Sequence, residues 1–513
     1  MIAGVAPSRR SLRPGRLGVD VGAALNLVGS FVRYLSLAFL VPTGVALGYG
    51  EPVWPFLVAG GTTAAVGVGL VALTEGRQRV GLREGFLVIS LTWLLVPALG
   101  GLPYVLADEP QLANLIDAYF ESVSGFTATG ATVLTDVETL DRSLVIWRQF
   151  TQWLGGMGIV VLAIAVLPRL RVGGRQLLQS ELAGPTELER LSVTIRETAR
   201  RLWFLYVGLT AAMVLVLAAI GWSGLDPAMG FFDAVAHSFS GIAIGGFSTR
   251  NDSVAAFGAA TQWAIVAFIV VAGVNFLRLY RLFVQRQPRA VTGDEEFRLY
   301  LGLLLLGSGL LMLELVAGGV FAGEETVRHA VFQAVSTMTT TGFSSTDYTQ
   351  WSALAGMTLL LLMLVGASAG STGGSIKVVR HLLIAKIVHR EIKQTVHREL
   401  VVPIRLSGSV VDERALRSVI AFVALYLLIL ALGAVGLVID AKRAATEIVA
   451  FDAIGAAAAC LGNVGPAFGF AGPFGSYEPF SNLSTGILTG LMWLGRLEII
   501  PVVVLVTRSY WRP

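Results

Sequence analysis

Four stretches of the chain decide its fold, and they read DAYFESVSGFTATGAT (117–132), DAVAHSFSGIAIGGFS (233–248), HAVFQAVSTMTTTGFS (329–344) and DAIGAAAACLGNVGPA (452–467). Aligned without gaps, they share one glycine column, filled by Gly130, Gly246, Gly342 and Gly465. An aspartate or histidine stands thirteen residues before each glycine, and an alanine follows that residue every time. Shared columns at a fixed offset indicate a fourfold internal repeat.

Each repeat reads as an apolar span, a shorter apolar segment, a glycine-containing turn and a second span. The shorter segments lie at about 114–125, 229–242, 327–338 and 447–460, and such lengths cannot cross a hydrocarbon core of about 30 Å. We expect half-helices that end near the membrane centre, with their C-terminal carbonyl groups turned towards a cation on a common axis. Ordinary glycine-mediated helix contacts are the alternative, but they need neither a half-length helix nor a common offset.

The composition places the chain in a membrane. Of its 513 residues 54% are hydrophobic and 14% are charged, whereas an average soluble domain holds about 25% charged residues. The single Cys460 excludes an intramolecular disulfide and a cysteine-pair metal site. Ten apolar runs are long enough to be spans: about 24–49, 54–74, 85–107, 144–167, 202–222, 258–283, 299–321, 353–388 (interrupted), 415–438 and 483–507.

Charge sets the expected orientation. Most of the 38 basic residues lie in six segments: 1–22, 75–84, 169–201, 278–298, 377–417 and 508–513. Basic connecting segments stay in the cytoplasm, so both termini are expected there and the half-helices are expected to enter from outside. The segments 169–201 and 377–417 are long enough to form amphipathic helices with a basic face.

Seven motifs, in this order and spacing, carry a resemblance to a known family: TATGAT (127–132), QWLGGMGIVVLAIAVLP (152–168), IGGFS (244–248), TTTGFS (339–344), GASAGSTGGSIKVVR (366–380), GNVGP (462–466) and GRLEI (495–499). Over roughly 24–508 the chain resembles the TrkH/KtrB potassium-uptake proteins. The resemblance implies an all-α membrane protein with four M1–pore helix–M2 repeats around a central pore and two leading helices, ten spans in total.

The expected division is an N-terminal tail with two leading helices (1–80), followed by pore repeats at 81–180, 181–290, 291–400 and 401–513. The resemblance also implies a homodimer in the cell (inner) membrane, with cytosolic regulatory subunits of the TrkA/KtrA type. Nucleotide is expected on those subunits and no cofactor in this chain, whose substrate would be K⁺. Nucleic acid is not an expected partner.

By motif, the resemblance assigns a potassium-binding selectivity filter to four sets of four consecutive residues, which we call quartets. This filter is the only expected metal site. The quartets are Thr127, Ala128, Thr129 and Gly130; Ala243, Ile244, Gly245 and Gly246; Thr339, Thr340, Thr341 and Gly342; and Gly462, Asn463, Val464 and Gly465. In this superfamily a serine in place of the first filter glycine accompanies sodium transport, so Gly130 favours potassium. The second quartet departs from the family, which usually has Ser or Thr before its two glycines.

The eighth span is broken, because only about 14 apolar residues (353–366) precede a polar, glycine-rich stretch. Non-helical backbone at membrane depth must lie against protein or water, and in the family this position is a gate below the filter. The expected gate residues are Gly366, Ala367, Ser368, Ala369, Gly370, Ser371, Thr372, Gly373, Gly374 and Ser375, together with Arg496. A kinked helix with small packing residues is the alternative.

Arg496 lies inside the last span, where a charge is costly and usually faces a cavity. It has no evident counter-charge, because Glu498 is two residues on and would point elsewhere on a continuous helix. The alternative is that Arg496 snorkels or binds backbone carbonyls. Arg148, beside Gln149 and Gln152, is expected to be structural.

Two functions remain open at this stage: a gated, potassium-selective, channel-like uptake protein, and a sodium- or proton-coupled secondary transporter. The half-helices of all four repeats follow a span from the same side, which favours a pore over the inverted repeats common in transporters. Glu314 is the main lone carboxylate within a span, so no proton-relay pair stands out. An enzyme is not expected, because no nucleophile and base converge.

Overall fold

The structure is a computed structural model, and it describes residues 18–76, 81–166, 195–397, 399 and 401–512. The tail 1–17 and most of the basic segment expected at 169–201 lie outside the described residues.

Helices account for nearly all of the regular structure. The leading helices are α1 (Val21–Leu35), α2 (Leu40–Tyr49) and α3 (Trp54–Leu73). The first repeat holds α4 (Leu82–Gly100), α5 (Leu102–Leu106), α6 (Leu115–Phe126) and α7 (Arg142–Val166). The second holds α8 (Ile195–Trp222), α9 (Phe231–Ala243), α10 (Ala259–Ala272) and α11 (Phe276–Phe283), and α12 (Arg289–Thr292) follows it.

The third and fourth repeats follow the same order. The third holds α13 (Glu295–Ala317), α14 (Glu324–Met338), α15 (Ala353–Val365) and α16 (Val378–Val396). A small antiparallel hairpin, β1 (Arg405–Leu406) with β2 (Ser409–Val410), leads into the fourth. That repeat holds α17 (Glu413–Ala444), α18 (Ala450–Leu461), α19 (Asn482–Arg496) and α20 (Ile500–Val506), and α21 (Arg508–Trp511) ends the described chain.

The four half-helices are α6, α9, α14 and α18, with 12, 13, 15 and 12 residues. At 1.5 Å per residue they are about 18–23 Å long, which is too short to cross the bilayer. The first turns of three contain Asp117, Asp233 or Asp452, as suits the positive end of the helix dipole. The third begins earlier than expected, so Glu324 and Glu325 fill its first turn.

Six helices among the described residues are long and apolar enough to cross a membrane: Val21–Tyr49, Trp54–Leu73, Arg83–Leu106, Ala199–Trp222, Glu295–Ala317 and Glu413–Ala444. Two of the other predicted spans, 258–283 and 483–507, are not straight helices. The first bends by 105° between α10 and α11, and the second bends by 114° between α19 and α20. The total of ten spans stays a prediction.

Local chemistry explains both bends. At the first, the Asn275 side chain accepts hydrogen bonds from the N–H groups of Leu277 and Arg278, so it caps a new helix instead of continuing the old one. At the second, Glu498 and Ile499 both have positive φ, 54° and 61°, which no α-helix accommodates. Glu498 therefore does not lie on the helix of Arg496, contrary to the expectation from spacing.

The two ends of the described chain meet. The Gly18 N–H donates to the Trp511 carbonyl at 2.9 Å, and the Tyr510 hydroxyl donates to the Arg83 carbonyl at 2.6 Å. Both ends and the start of the first repeat therefore lie on one side of the helix assembly.

Candidate pore and gate

The four quartets share one backbone conformation. Their second residues are left-handed, with φ of 51° at Ala128, 54° at Ile244, 64° at Thr340 and 54° at Asn463, and the fourth residue of each is a glycine with φ between 79° and 100°. Left-handed backbone at every second residue lets successive main-chain groups face the same side. The third residue of every quartet donates its N–H to a half-helix carbonyl, that of Ser124, Ser240, Ser336 or Ala459, at 2.8–2.9 Å.

The quartets close into a ring. A Cβ atom added to Gly130 would overlap the carbonyl oxygen of Gly245, and one added to Gly246 would overlap that of Thr341. The contacts continue from Gly342 to the Val464 carbonyl and from Gly465 back to the Thr129 carbonyl. Each quartet therefore touches the next in the order one, two, three, four and one again. Only glycine fits at these positions, because the backbone is left-handed and a neighbouring carbonyl oxygen occupies the Cβ space.

Side chains reinforce the ring differently in each quadrant. The hydroxyl pairs Thr127–Thr129 and Thr339–Thr341 lie 2.7 Å apart. The Asn463 amide donates to the Thr129 hydroxyl at 3.0 Å and so ties the fourth quartet to the first.

The second quartet has no hydroxyl side chain, and a glutamine supports it instead. The Gln152 amide nitrogen donates to the Gly245 carbonyl at 2.5 Å, and its oxygen accepts from the Phe247 N–H at 3.1 Å. Gln152 thus holds the backbone on both sides of Gly246. The only sequence signal for this role is that Gln152 begins one of the family motifs.

Below the ring the chain is not helical between Val365 and Val378, at the place where the sequence predicts an interruption. We call residues 366–375 the loop. The Gly374 N–H donates to the Thr340 hydroxyl at 2.9 Å, and a Cβ on Gly374 would overlap the Gly462 carbonyl oxygen. The loop therefore lies directly against the third and fourth quartets, and nearly all of it is buried.

Thr372 extends this contact to the second repeat, because its hydroxyl donates to the Ile242 carbonyl at 3.2 Å. Its own carbonyl accepts from Arg496 Nη1 at 2.8 Å, while Arg496 Nη2 donates to the Gly155 carbonyl of the first repeat at 2.6 Å. Arg496 is thus bound to backbone carbonyls, and one of them belongs to the loop. The loop and Arg496 together touch all four repeats.

The bend in the second repeat receives the start of the loop. The Ser368 N–H donates to the Gly273 carbonyl, and the Asn275 amide donates to the Ala369 carbonyl at 2.7 Å. The Ala369 N–H donates to Glu296 at 2.6 Å. Asn275 and Glu296 were not among the expected gate residues, since a polar residue at a helix break or a span terminus has no distinctive spacing.

A buried charge cluster holds the other end of the loop. Lys377 Nζ lies 2.6 Å from one carboxylate oxygen of Glu498, and Arg380 pairs with the other. Glu498 lies in the bend of the fourth repeat, two residues after Arg496, so the cluster ties the third repeat to the fourth.

Arg148, expected to be structural, lies behind the first quartet. It pairs with the buried Glu121 at 2.7 Å, and its guanidinium carbon lies 4.1 Å from the ring centroid of Phe247. Glu121 also accepts from the Thr132 hydroxyl and the Val133 N–H. The pair supports the backbone that follows Gly130. Glu314, the lone carboxylate singled out by the sequence, accepts from the Ser352 hydroxyl at 2.6 Å.

Known proteins resemble this chain in sequence and in fold. The chain is 36% identical over 501 residues to the Trk system potassium uptake protein TrkH of Salmonella typhimurium, a match that covers 96% of this chain and 99% of that protein. It is 33% identical over 432 residues to TrkI of Halomonas elongata, covering 83% of this chain and 84% of that protein. The crystal structure of the potassium transporter TrkH from Vibrio parahaemolyticus matches with a TM-score of 0.83 and 32% identity, covering 96% of this chain and 100% of that one.

A family model described as TrkH, cation transport protein, matches residues 56–512. The relatives are transport proteins and not enzymes. The all-α membrane fold of this chain matches that of the TrkH crystal structure. With the family model spanning most of the chain and the relatives aligned almost end to end, this protein belongs to the TrkH family of cation transport proteins.

Proposed function

We propose that the chain is a potassium-selective, channel-like uptake protein driven by the membrane potential. The observation that carries the proposal is the closed ring of four quartets with one shared backbone conformation. Such a ring offers main-chain oxygens that can replace the hydration shell of a cation. Gly130 in the first quartet and relatives named as potassium uptake proteins support K⁺ as the ion.

Flux into liposomes holding the purified protein tests this proposal. K⁺ and Rb⁺ should pass without any imposed proton or sodium gradient, and Na⁺ should pass poorly. Gly130→Ser should weaken the preference for K⁺ over Na⁺, because the new side chain meets the neighbouring carbonyl oxygen. Gly309→Ser is the matched control, since a Cβ there meets nothing within 4 Å. Flux that requires a proton or sodium gradient would overturn the channel mode and establish the coupled transporter.

We further propose that the loop is the gate and that Arg496 helps to hold it closed. The loop lies against the quartets, and the Arg496 charge beneath them raises the barrier for a cation. Arg496→Met should raise flux in the absence of any regulator, because it removes the charge and the bond to Thr372. Arg405→Met, at an exposed position on the hairpin, is the control.

Deletion of 368–374 is a second test of the gate, and it too should raise regulator-free flux. Unchanged flux in both the deletion and Arg496→Met, with the proteins still monodisperse and ion-selective, would reject the gate.

The proposal has two further parts. A cytosolic nucleotide-binding subunit controls the gate, and the chain assembles as a homodimer in the cell membrane. The basic helix α16 begins directly after the loop and Lys377, so a partner that moves α16 can move the loop. Adding the purified regulatory subunit of the same genome with nucleotide should change flux, and light scattering of the detergent-purified chain should give twice its mass. A regulator that neither binds nor changes flux would contradict the first part, and a monomer the second.

A further inference from the structure

A cavity of about 650 Å³ opens between the leading helices and the first and second repeats. Apolar side chains dominate its wall, among them Leu27, Phe31, Val96, Phe150 and Trp203. A buried water molecule needs several polar partners, and this wall offers few. If the cavity were empty, the side chains of its wall would lose dispersion contacts. A hydrocarbon ligand suits the cavity best.

The mouth of the cavity opens to the lipid. Tyr34 and Leu37 lie on the wall and are 64% and 62% exposed, and both belong to the candidate span Val21–Tyr49. Side chains exposed at this depth face hydrocarbon, since no water is present in the bilayer core. The molecules that can enter from this side are therefore membrane lipids.

The depth of the cavity matches the ends of acyl chains. Its wall includes Phe126, the last residue of α6, and this half-helix is about 18 Å long. Its end therefore lies close to the midplane of a hydrocarbon core about 30 Å thick. The mouth at Tyr34 and Leu37 lies halfway along its span. Lipid tails from either leaflet end at this level.

Two residues of the wall also hold the proposed gate. The Gly155 carbonyl accepts from Arg496 at 2.6 Å, and the ring centroid of Trp93 lies 5.7 Å from the Arg496 guanidinium carbon. Both residues line the cavity. We propose that the cavity binds one acyl chain of a membrane phospholipid, whose end lies against the residues that position Arg496.

Photocrosslinking tests the site without relying on transport, so its result is separate from that of the proposed function. The full-length protein is placed in phospholipid vesicles containing a trace of phosphatidylcholine with a diazirine at the end of one acyl chain. After irradiation, adducts are mapped by peptide mass spectrometry. We expect enrichment on the segments around Phe31 and Trp203 over the lipid-facing residues of α17. A lipid with the diazirine next to the ester should not show this enrichment.

Ala38 lines the cavity, so Ala38→Trp should fill it and abolish these adducts. Ala65→Trp is the matched control, because Ala65 is exposed on α3 and does not line the cavity. Ser30→Phe fills the same space if Ala38→Trp does not fold. Adducts that persist in the filled variants, or that show no enrichment in the wild type, would overturn the proposal. Loss of a dimer in Ala38→Trp would instead assign the cavity to a second copy of the chain and would also overturn it.

Discussion

Single residues in this protein are constrained mainly through main-chain carbonyl oxygens. Arg496 binds two carbonyls, Gln152 binds one, and each ring glycine leaves room for one. In a membrane interior an unpaired carbonyl costs several kcal/mol, so a side chain that satisfies one is hard to replace. This explains why residues with no evident partner in the sequence are well bonded in the structure.

Gln152 gives a test at this scale. Gln152→Leu should lower the discrimination of K⁺ over Na⁺, because the second quartet loses its support at the Gly245 carbonyl and the Phe247 N–H. Flux ratios of the two ions in liposomes measure the effect. The neighbouring Gln149 is fully buried, and its amide atoms have no hydrogen-bond partner among the described residues. Gln149→Leu should therefore leave the ratio unchanged, and equal losses in both variants would argue against a specific role of Gln152.

At the scale of elements, broken helices position the loop. The bend between α10 and α11 exposes the Gly273 carbonyl and the Asn275 amide, which bind the start of the loop. The bend between α19 and α20 places Glu498 where it pairs with Lys377 and Arg380 at the end of the loop. The second helix is thus broken in three repeats, and the breaks in the second and fourth repeats contact the loop or the charged residues that follow it.

Glu498→Gln should destabilise this arrangement by about 3 kcal/mol, because it removes the carboxylate charge that pairs with the buried Lys377 and the half-buried Arg380. Thermal inactivation of the purified protein, followed by the loss of monodisperse material, measures the change. Glu413→Gln is the control, since the Glu413 side chain is exposed where it pairs with Arg390 and ion pairs that water can reach contribute little. An unchanged midpoint for Glu498→Gln would show that the cluster does not stabilise the fold.

At the scale of the whole molecule, charge and contacts agree about orientation. The structure joins Gly18 to Trp511 and Tyr510 to Arg83, and the sequence concentrates basic residues in the segments next to these ends. Since basic connecting segments stay in the cytoplasm, both termini are expected there.

Reporter fusions check this orientation. A fluorescent protein that folds only in the cytoplasm should be bright at either terminus, and an exported phosphatase should be inactive there. The same phosphatase inserted after Ala445, in the turn between α17 and α18, should be active. A bright fluorescent reporter at that turn would reverse the orientation.

Much of this architecture is determined by local sequence. Half-helices stop where glycine and left-handed backbone follow them, acidic residues mark their starts, and a 14-residue apolar run cannot cross a bilayer. The four half-helices therefore lie within a few residues of where the sequence predicts them. The ring glycines could also be found, because their spacing repeats four times along the chain.

Tertiary structure decided what local sequence does not encode. Hydropathy does not distinguish a straight span from two helices joined at 105° or 114°, because both contain the same run of apolar residues. The partners of Arg496 are main-chain carbonyls 124 and 341 residues away, and every residue type has a carbonyl, so no motif reveals them. The sequence by itself determined a fourfold membrane assembly with an interrupted helix; only the packing of the repeats decided which backbone atoms meet around the ring and the loop.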